Sequence, residues 1–148
     1  MNILLFLGIG CRTDGRNSIS LKIIHYAGAA GLTLIYTIDQ NSLQVDANCD
    51  LANCDQKTVY KRTFNKNESD SIYNFISSLR LDTLKSSYQR ENMLDGLFTT
   101  ITIKKGFLSR QTNTFDNYST PTTDTLFKYI DNFILTKKYK FYSWGQEE

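Results

Sequence analysis

Apolar residues along this chain follow two periods, and the changes between them mark out its elements. Leu21, Ile23 and His25 alternate with Lys22, Ile24 and Tyr26, a period of two that predicts a strand. Gly28-Ala29-Ala30-Gly31 supplies a turn. Leu32, Leu34, Tyr36 and Ile38 then alternate with Thr33, Ile35 and Thr37, so the two runs read as a hairpin. Asp39-Gln40-Asn41-Ser42 predicts a second turn, Leu43-Gln44-Val45 a short third strand, and Val59 to Phe64 a fourth. Beyond residue 66 the period lengthens: Ile72, Phe75, Ile76 and Leu79 fall at i, i+3, i+4 and i+7. They follow Asn67-Glu68-Ser69-Asp70, whose side-chain oxygens suit the donor-rich first turn of a helix.

The second half repeats the change of period. Asp95-Gly96 predicts a turn into a β-branched strand carrying Leu97, Thr99, Ile101 and Ile103, and Lys104-Lys105-Gly106 a turn into a strand from Phe107 to Thr112. Pro121-Thr122-Thr123-Asp124 opens a second helix with Leu126, Ile130, Phe133 and Ile134 as its stripe and Lys137 and Lys138 favourable at its C-terminal end. Tyr139 to Tyr142 reads as a last strand. The order ββββ-α-ββ-α-β predicts an α+β fold, a mostly antiparallel sheet with two helices packed on one face.

Composition narrows the class. With 148 residues, 41% hydrophobic and 13% aromatic, the chain can close one core but not two. Nine Tyr and nine Phe against a single Pro argue for a folded chain rather than a disordered one. A net charge of +2 offers no electrostatic footprint for nucleic acid and no polybasic membrane patch.

The N-terminus changes the picture more. Residues 1–10 form an uncharged apolar segment, too short to span a bilayer but of the length of a secretory signal core, and Gly10-Cys11 is a junction of the kind that receives a lipid. The segment lacks a basic residue before the apolar run, and Gly8 stands where a leucine is usual, so an edge or core strand of a cytosolic domain is the competing reading and a wrongly called start codon a third. Residues 1–10 are thus a signal-like segment, 11–17 a short polar tether and 18–148 a single domain. With Cys11 assigned to lipidation, Cys49 and Cys54 remain as an even pair with four residues between them, suited to a disulfide across a tight loop in an oxidising compartment. Export and the disulfide need the same side of a membrane, so each reading strengthens the other. The address expected is the cell envelope.

Candidate chemistry is sparse. His25, the single histidine, sits in an apolar strand with no second ligand in a metal-binding spacing, and no Gly-x-Ser-x-Gly elbow accompanies it, so neither a metal nor a cofactor is expected. Gly28-Ala29-Ala30-Gly31 precedes a strand, whereas a phosphate loop precedes a helix. Asp46-Ala47-Asn48-Cys49-Asp50 resembles the opening of a calcium loop, but Leu51 and Lys57 stand where Gly and Glu are required. Aromatic residues gather near the C-terminus, and Tyr118, Tyr142 and Trp144 are candidates for partner binding, with Tyr139 and Phe141 facing the helices.

The Gly10-Cys11 junction, the Asp95-Gly96-Leu97 turn into Thr99 to Ile103, and the closing helix Leu126 to Ile134 followed by Lys138 to Tyr142 are together similar to small uncharacterised lipoproteins of Bacteroidota. The resemblance is one of layout over most of the chain. It implies a lipid-anchored, often surface-exposed domain of unknown role and carries no catalytic signature. The O-glycosylation pattern of that phylum, Asp then Ser or Thr then an apolar residue, occurs at Asp70-Ser71-Ile72, Asp82-Thr83-Leu84 and Asp124-Thr125-Leu126; two of these coincide with helix starts, where capping explains the same residues equally well. The function expected is a non-enzymatic binding or accessory subunit of an outer-membrane complex whose partner is an envelope protein. The alternatives are a soluble inhibitor or immunity-type domain, and a small hydrolase if His25 meets a carboxylate in a deep pocket.

Overall fold

Four consecutive strands make an antiparallel meander, and three more complete the sheet on its other side. In the computed structural model, residues 18–27, 31–49, 56–89, 98–115 and 120–141 are described. The strands are β1 (Ile19–Ala27), β2 (Leu32–Asp39), β3 (Ser42–Cys49), β4 (Lys57–Thr63), β5 (Ser87–Tyr88), β6 (Phe98–Lys105) and β7 (Leu108–Phe115), and the helices are α1 (Lys66–Ser78) and α2 (Pro121–Asp131). The sheet runs β4-β3-β2-β1-β6-β7-β5, antiparallel throughout except where β5 joins β7. Strand β1 is central because β6 returns to its free side, pairing Ile23 with Ile101 as β2 pairs Ile23 with Tyr36.

Register explains the core. Val45, Tyr36, Ile23, Ile101 and Thr112 form one row across five strands, and Leu43, Ile38, Leu21, Ile103 and Arg110 form the next. Every apolar member of both rows is buried. A slip of one residue in any strand would turn its apolar set to the opposite face, so burial holds the register. Ile72 and Ile76 of α1 and Leu126 and Ile130 of α2 are buried with these rows, which puts both helices on the same face. Phe75 and Tyr129 stack between the helices with centroids 3.8 Å apart.

Each helix begins where its side chains satisfy free amides. Asn65 accepts from the Glu68 amide at 3.0 Å while Glu68 accepts from the Asn65 amide at 3.0 Å, and Thr120 and Thr123 make the equivalent exchange ahead of Pro121. The C-terminus of α1 has no basic residue in its last turn. Its cation comes instead from the sheet, where Lys105 Nζ donates to the carbonyls of Ser77 at 2.6 Å and Leu79 at 3.0 Å. Further along, the Arg110 guanidinium donates to the Leu84 carbonyl and Thr112 Oγ1 to that of Lys85. The inner face of β6 and β7 is polar at its edge because there it holds backbone, not a helix.

Several boundaries differ from the sequence expectation. Strand β3 continues through Asp46 to Cys49, since Ala47 extends the inward alternation of Leu43 and Val45, and both neighbours hydrogen-bond it. That places the calcium-like run largely in a strand rather than a loop. Helix α1 starts two residues earlier than the acidic cluster suggests, and α2 ends at Asp131, leaving Lys137 beyond it in a 3-10 turn (Lys137–Tyr139) with Lys138. The expected closing strand is absent from the described part of 139–142. Tyr139 ends that turn, and Phe141 is drawn between Tyr36 and Phe127, its amide donating to Asp131 Oδ1 at 2.8 Å. The two-residue β5 adds a strand that the pattern of residues does not signal.

Candidate binding surface

The sheet has two faces of different character. On the inner face the helices and sheet close around an apolar void of only about 10 Å³ lined by residues such as Leu21, Leu43, Ile72, Phe75 and Ile130. A void of that size holds at most one water, and its lining gives a water no partner. No histidine or carboxylate borders it.

A further polar group on the inner face lies in the row Ala47, Leu34, His25, Thr99 and Thr114. His25 Nδ1 is 2.8 Å from Thr99 Oγ1, and its ring meets Phe141 edge-on with centroids 6.0 Å apart. Burial holds the imidazole pKa below its ordinary value. Tyr36 donates to the Tyr139 carbonyl at 2.9 Å, while burial, and behind it the Asp131 carboxylate, push its phenol well above the usual range. Phe141 stacks on Tyr36 and Phe127 at 4.2 and 4.5 Å, so a ring fills the space over this row. These groups lock the C-terminal segment onto the sheet. His25 is thereby a buried residue with Thr99 and Phe141 against its ring.

The outer face is different. Ile24 stands between Ile35 and Thr100, Tyr26 between Thr33 and Phe98, and Lys22 between Thr37 and Thr102. Ile24, Tyr26, Ile35 and Phe98 are all partly exposed and stand outside the core cluster that the helices cover. A Thr-rich surround completes the surface, with Thr100 Oγ1 donating to Asn113 Oδ1 at 3.1 Å. Toward β4, Asp46 accepts from Gln44 Nε2 at 3.0 Å and Thr58 Oγ1 at 2.7 Å, so its carboxylate is satisfied by neighbouring side chains and not arranged as a ligand to calcium. Among the described residues no group of three metal-ligating side chains occurs, and no helix is long and apolar enough to cross a membrane.

The residues singled out in the sequence fall as follows. Cys11, Cys54, Tyr118, Tyr142 and Trp144 lie outside the described residues, so neither the lipidation site nor the aromatic partner site is part of this geometry. Cys49 ends β3 and is disulfide-bonded; its pairing with Cys54 lies outside the described residues. Ser71, Thr83 and Thr125 are exposed, but each hydroxyl is engaged locally, with Tyr129 at 2.8 Å, the Arg80 carbonyl at 2.7 Å and the Pro121 carbonyl at 2.7 Å. The outward Ile24, Tyr26 and Ile35 were visible as the second half of each alternation. Their meaning as a connected surface needed the strand order, which the sequence does not carry. The chain matches no family model and no curated protein.

Proposed function

We propose that this chain is a lipid-anchored cell-envelope protein that works by binding another protein, as a non-enzymatic accessory subunit of an outer-membrane complex. The observation that carries the binding role is the outer sheet face, where Ile24, Tyr26, Ile35 and Phe98 gather across β1, β2 and β6 while the inner face is filled by the helices. Aromatic and branched side chains on such a platform supply contact area at low ordering cost, and a ring of threonines provides the polar rim. The Gly10-Cys11 junction supports the anchor, and the disulfide at Cys49 suits an oxidising compartment. The expected partner is an envelope protein, held without cofactor or nucleic acid.

A photo-crosslinking residue placed at Tyr26 in cells tests the face. A discrete adduct with one envelope protein is expected, absent when the crosslinker replaces Lys57 on the exposed edge strand and weakened by Ile24→Glu. Equal adducts from both positions would refute the outer face as the docking surface. Recovery of the chain from the cytosol would instead favour a soluble inhibitor or immunity-type domain using the same body.

A further inference from the structure

Of the large apolar side chains among the described residues, two of the most exposed are adjacent. Phe107 is 85% and Leu108 70% exposed, at the turn between β6 and β7. The turn is tied to its surroundings: Gly106 takes the left-handed conformation at φ 57°, and its neighbour Lys105 donates to two carbonyls at the end of α1. The Gly106 amide also donates to the Ser18 carbonyl at 2.7 Å, so this tip sits where the chain enters β1. Ser18 is seven residues after Cys11, a stretch that spans at most about 25 Å when extended. Just behind the tip, Lys22 and Lys104 are exposed and share the outer face, Ser20 opposing Lys104 and Lys22 opposing Thr102.

We propose that the β6–β7 tip is a membrane contact, with Phe107 and Leu108 entering the interfacial layer of a bilayer and Lys22 and Lys104 meeting its anionic headgroups. The orientation rests on the reading of Cys11 as the lipid anchor, which brings this end of the sheet to the membrane. A protein partner is the weaker fit to this tip, because two side chains supply far less than the roughly 800 Å² per partner of a stable interface. Interfacial insertion needs only apolar side chains and nearby cations, and one lipid chain alone holds a protein marginally, so a second contact has a use. The backbone hydrogen bond and the Lys105 contacts hold the turn's backbone in place, which lowers the ordering cost of insertion.

The test separates the tip from the anchor. Full-length protein carrying Cys11→Ala, Trp144→Phe and an N-terminal hexahistidine tag is held on vesicles of phosphatidylcholine and phosphatidylglycerol (3:1) containing a nickel-chelating lipid, so that lipidation plays no part. Phe107→Trp in this background reports insertion through quenching by brominated acyl chains, and Lys57→Trp, at the opposite end of the sheet, is the control. Emission from Phe107→Trp is expected to fall about twofold on brominated vesicles while Lys57→Trp is unchanged. Adding Leu108→Ser lowers the inserted fraction by about tenfold in equilibrium constant, the loss of part of one side-chain transfer. Both sites are exposed, and an unchanged melting temperature checks the fold of each variant. Emission from Phe107→Trp that is the same on brominated and plain vesicles, or quenching equal at both positions, overturns the proposal. A missing lipid on Cys11 in cells would count against the anchor alone and leave these results standing.

Discussion

Replacing Lys105 by methionine removes the cation that the sheet lends to α1 while keeping the length of the apolar stem. Two carbonyls, those of Ser77 and Leu79, lose a charged donor at 2.6 and 3.0 Å. A hydrogen bond to a charged group contributes about 1.5–3 kcal/mol, and water reaches this half-buried site to replace part of it, so the pair together should cost about 2 kcal/mol. The favourable meeting of a cation with the negative end of the helix is lost in the same step. For a chain of 148 residues that corresponds to a fall in melting temperature of about 6 °C. Lys104→Met is the control, since Lys104 is exposed and has its side chain on the other face. Thermal unfolding followed by circular dichroism at neutral pH reads both. If Lys105→Met stays within about 1.5 °C of the parent, the range of an ordinary surface change, the idea that a strand residue caps α1 is wrong.

Three further outcomes follow from the same geometry. His25 has a folded-state pKa below the 6.5 of the unfolded chain, so as pH falls through that value the unfolded state takes up the proton first; stability is full above pH 6.5 and declines below it. Melting temperatures from pH 8 to pH 5 should show this fall, and His25→Gln should flatten it; an equal slope in the variant would show that other groups cause it. Phe141→Ala opens the space between Tyr36 and Phe127 and should destabilise by about 2–3 kcal/mol, read from urea unfolding, whereas a loss below about 0.5 kcal/mol would mean that the ring is not part of the core. Protein recovered from the envelope should resist alkylation at Cys49 and Cys54 until reductant is added; alkylation of both without it would remove the disulfide from the argument for export.

The paired strands were legible because burial on one face imposes a strict period of two, and Leu21, Ile23, Leu34, Tyr36, Ile101 and Ile103 all keep it. The helix stripes were legible for the same reason at the longer period. What misled was polarity in the wrong place. Asp46 and Asn48 look like loop residues, yet they occupy outward positions of β3, where Gln44 and Thr58 satisfy the Asp46 carboxylate. Asn67 drew the start of α1 because acids follow it, although Asn65 stands three residues before Glu68 at the spacing of a capping box. Tyr139 and Phe141 alternate like a strand, but two residues cannot fix a period. Phe141 is held by Asp131, a partner ten residues away that only the fold brings near. Lys105 and Arg110 occupy inward positions where a sequence reading expects apolar residues, and their partners are backbone carbonyls, at the end of α1 for Lys105 and at Leu84 for Arg110, which no pattern of side chains announces. The outer face was present as the other half of each alternation; strand order, which depends on β6 returning to β1, turned it into one surface.

Intact-mass spectrometry of the protein recovered from membranes tests the envelope account most directly. A chain that begins at Cys11 and carries the added mass of a diacylglyceryl group is the expected product, and Cys11→Ala should abolish that species and release the protein from the membrane fraction. An unmodified chain retaining residues 1–10, found in the soluble fraction with or without Cys11, would contradict it.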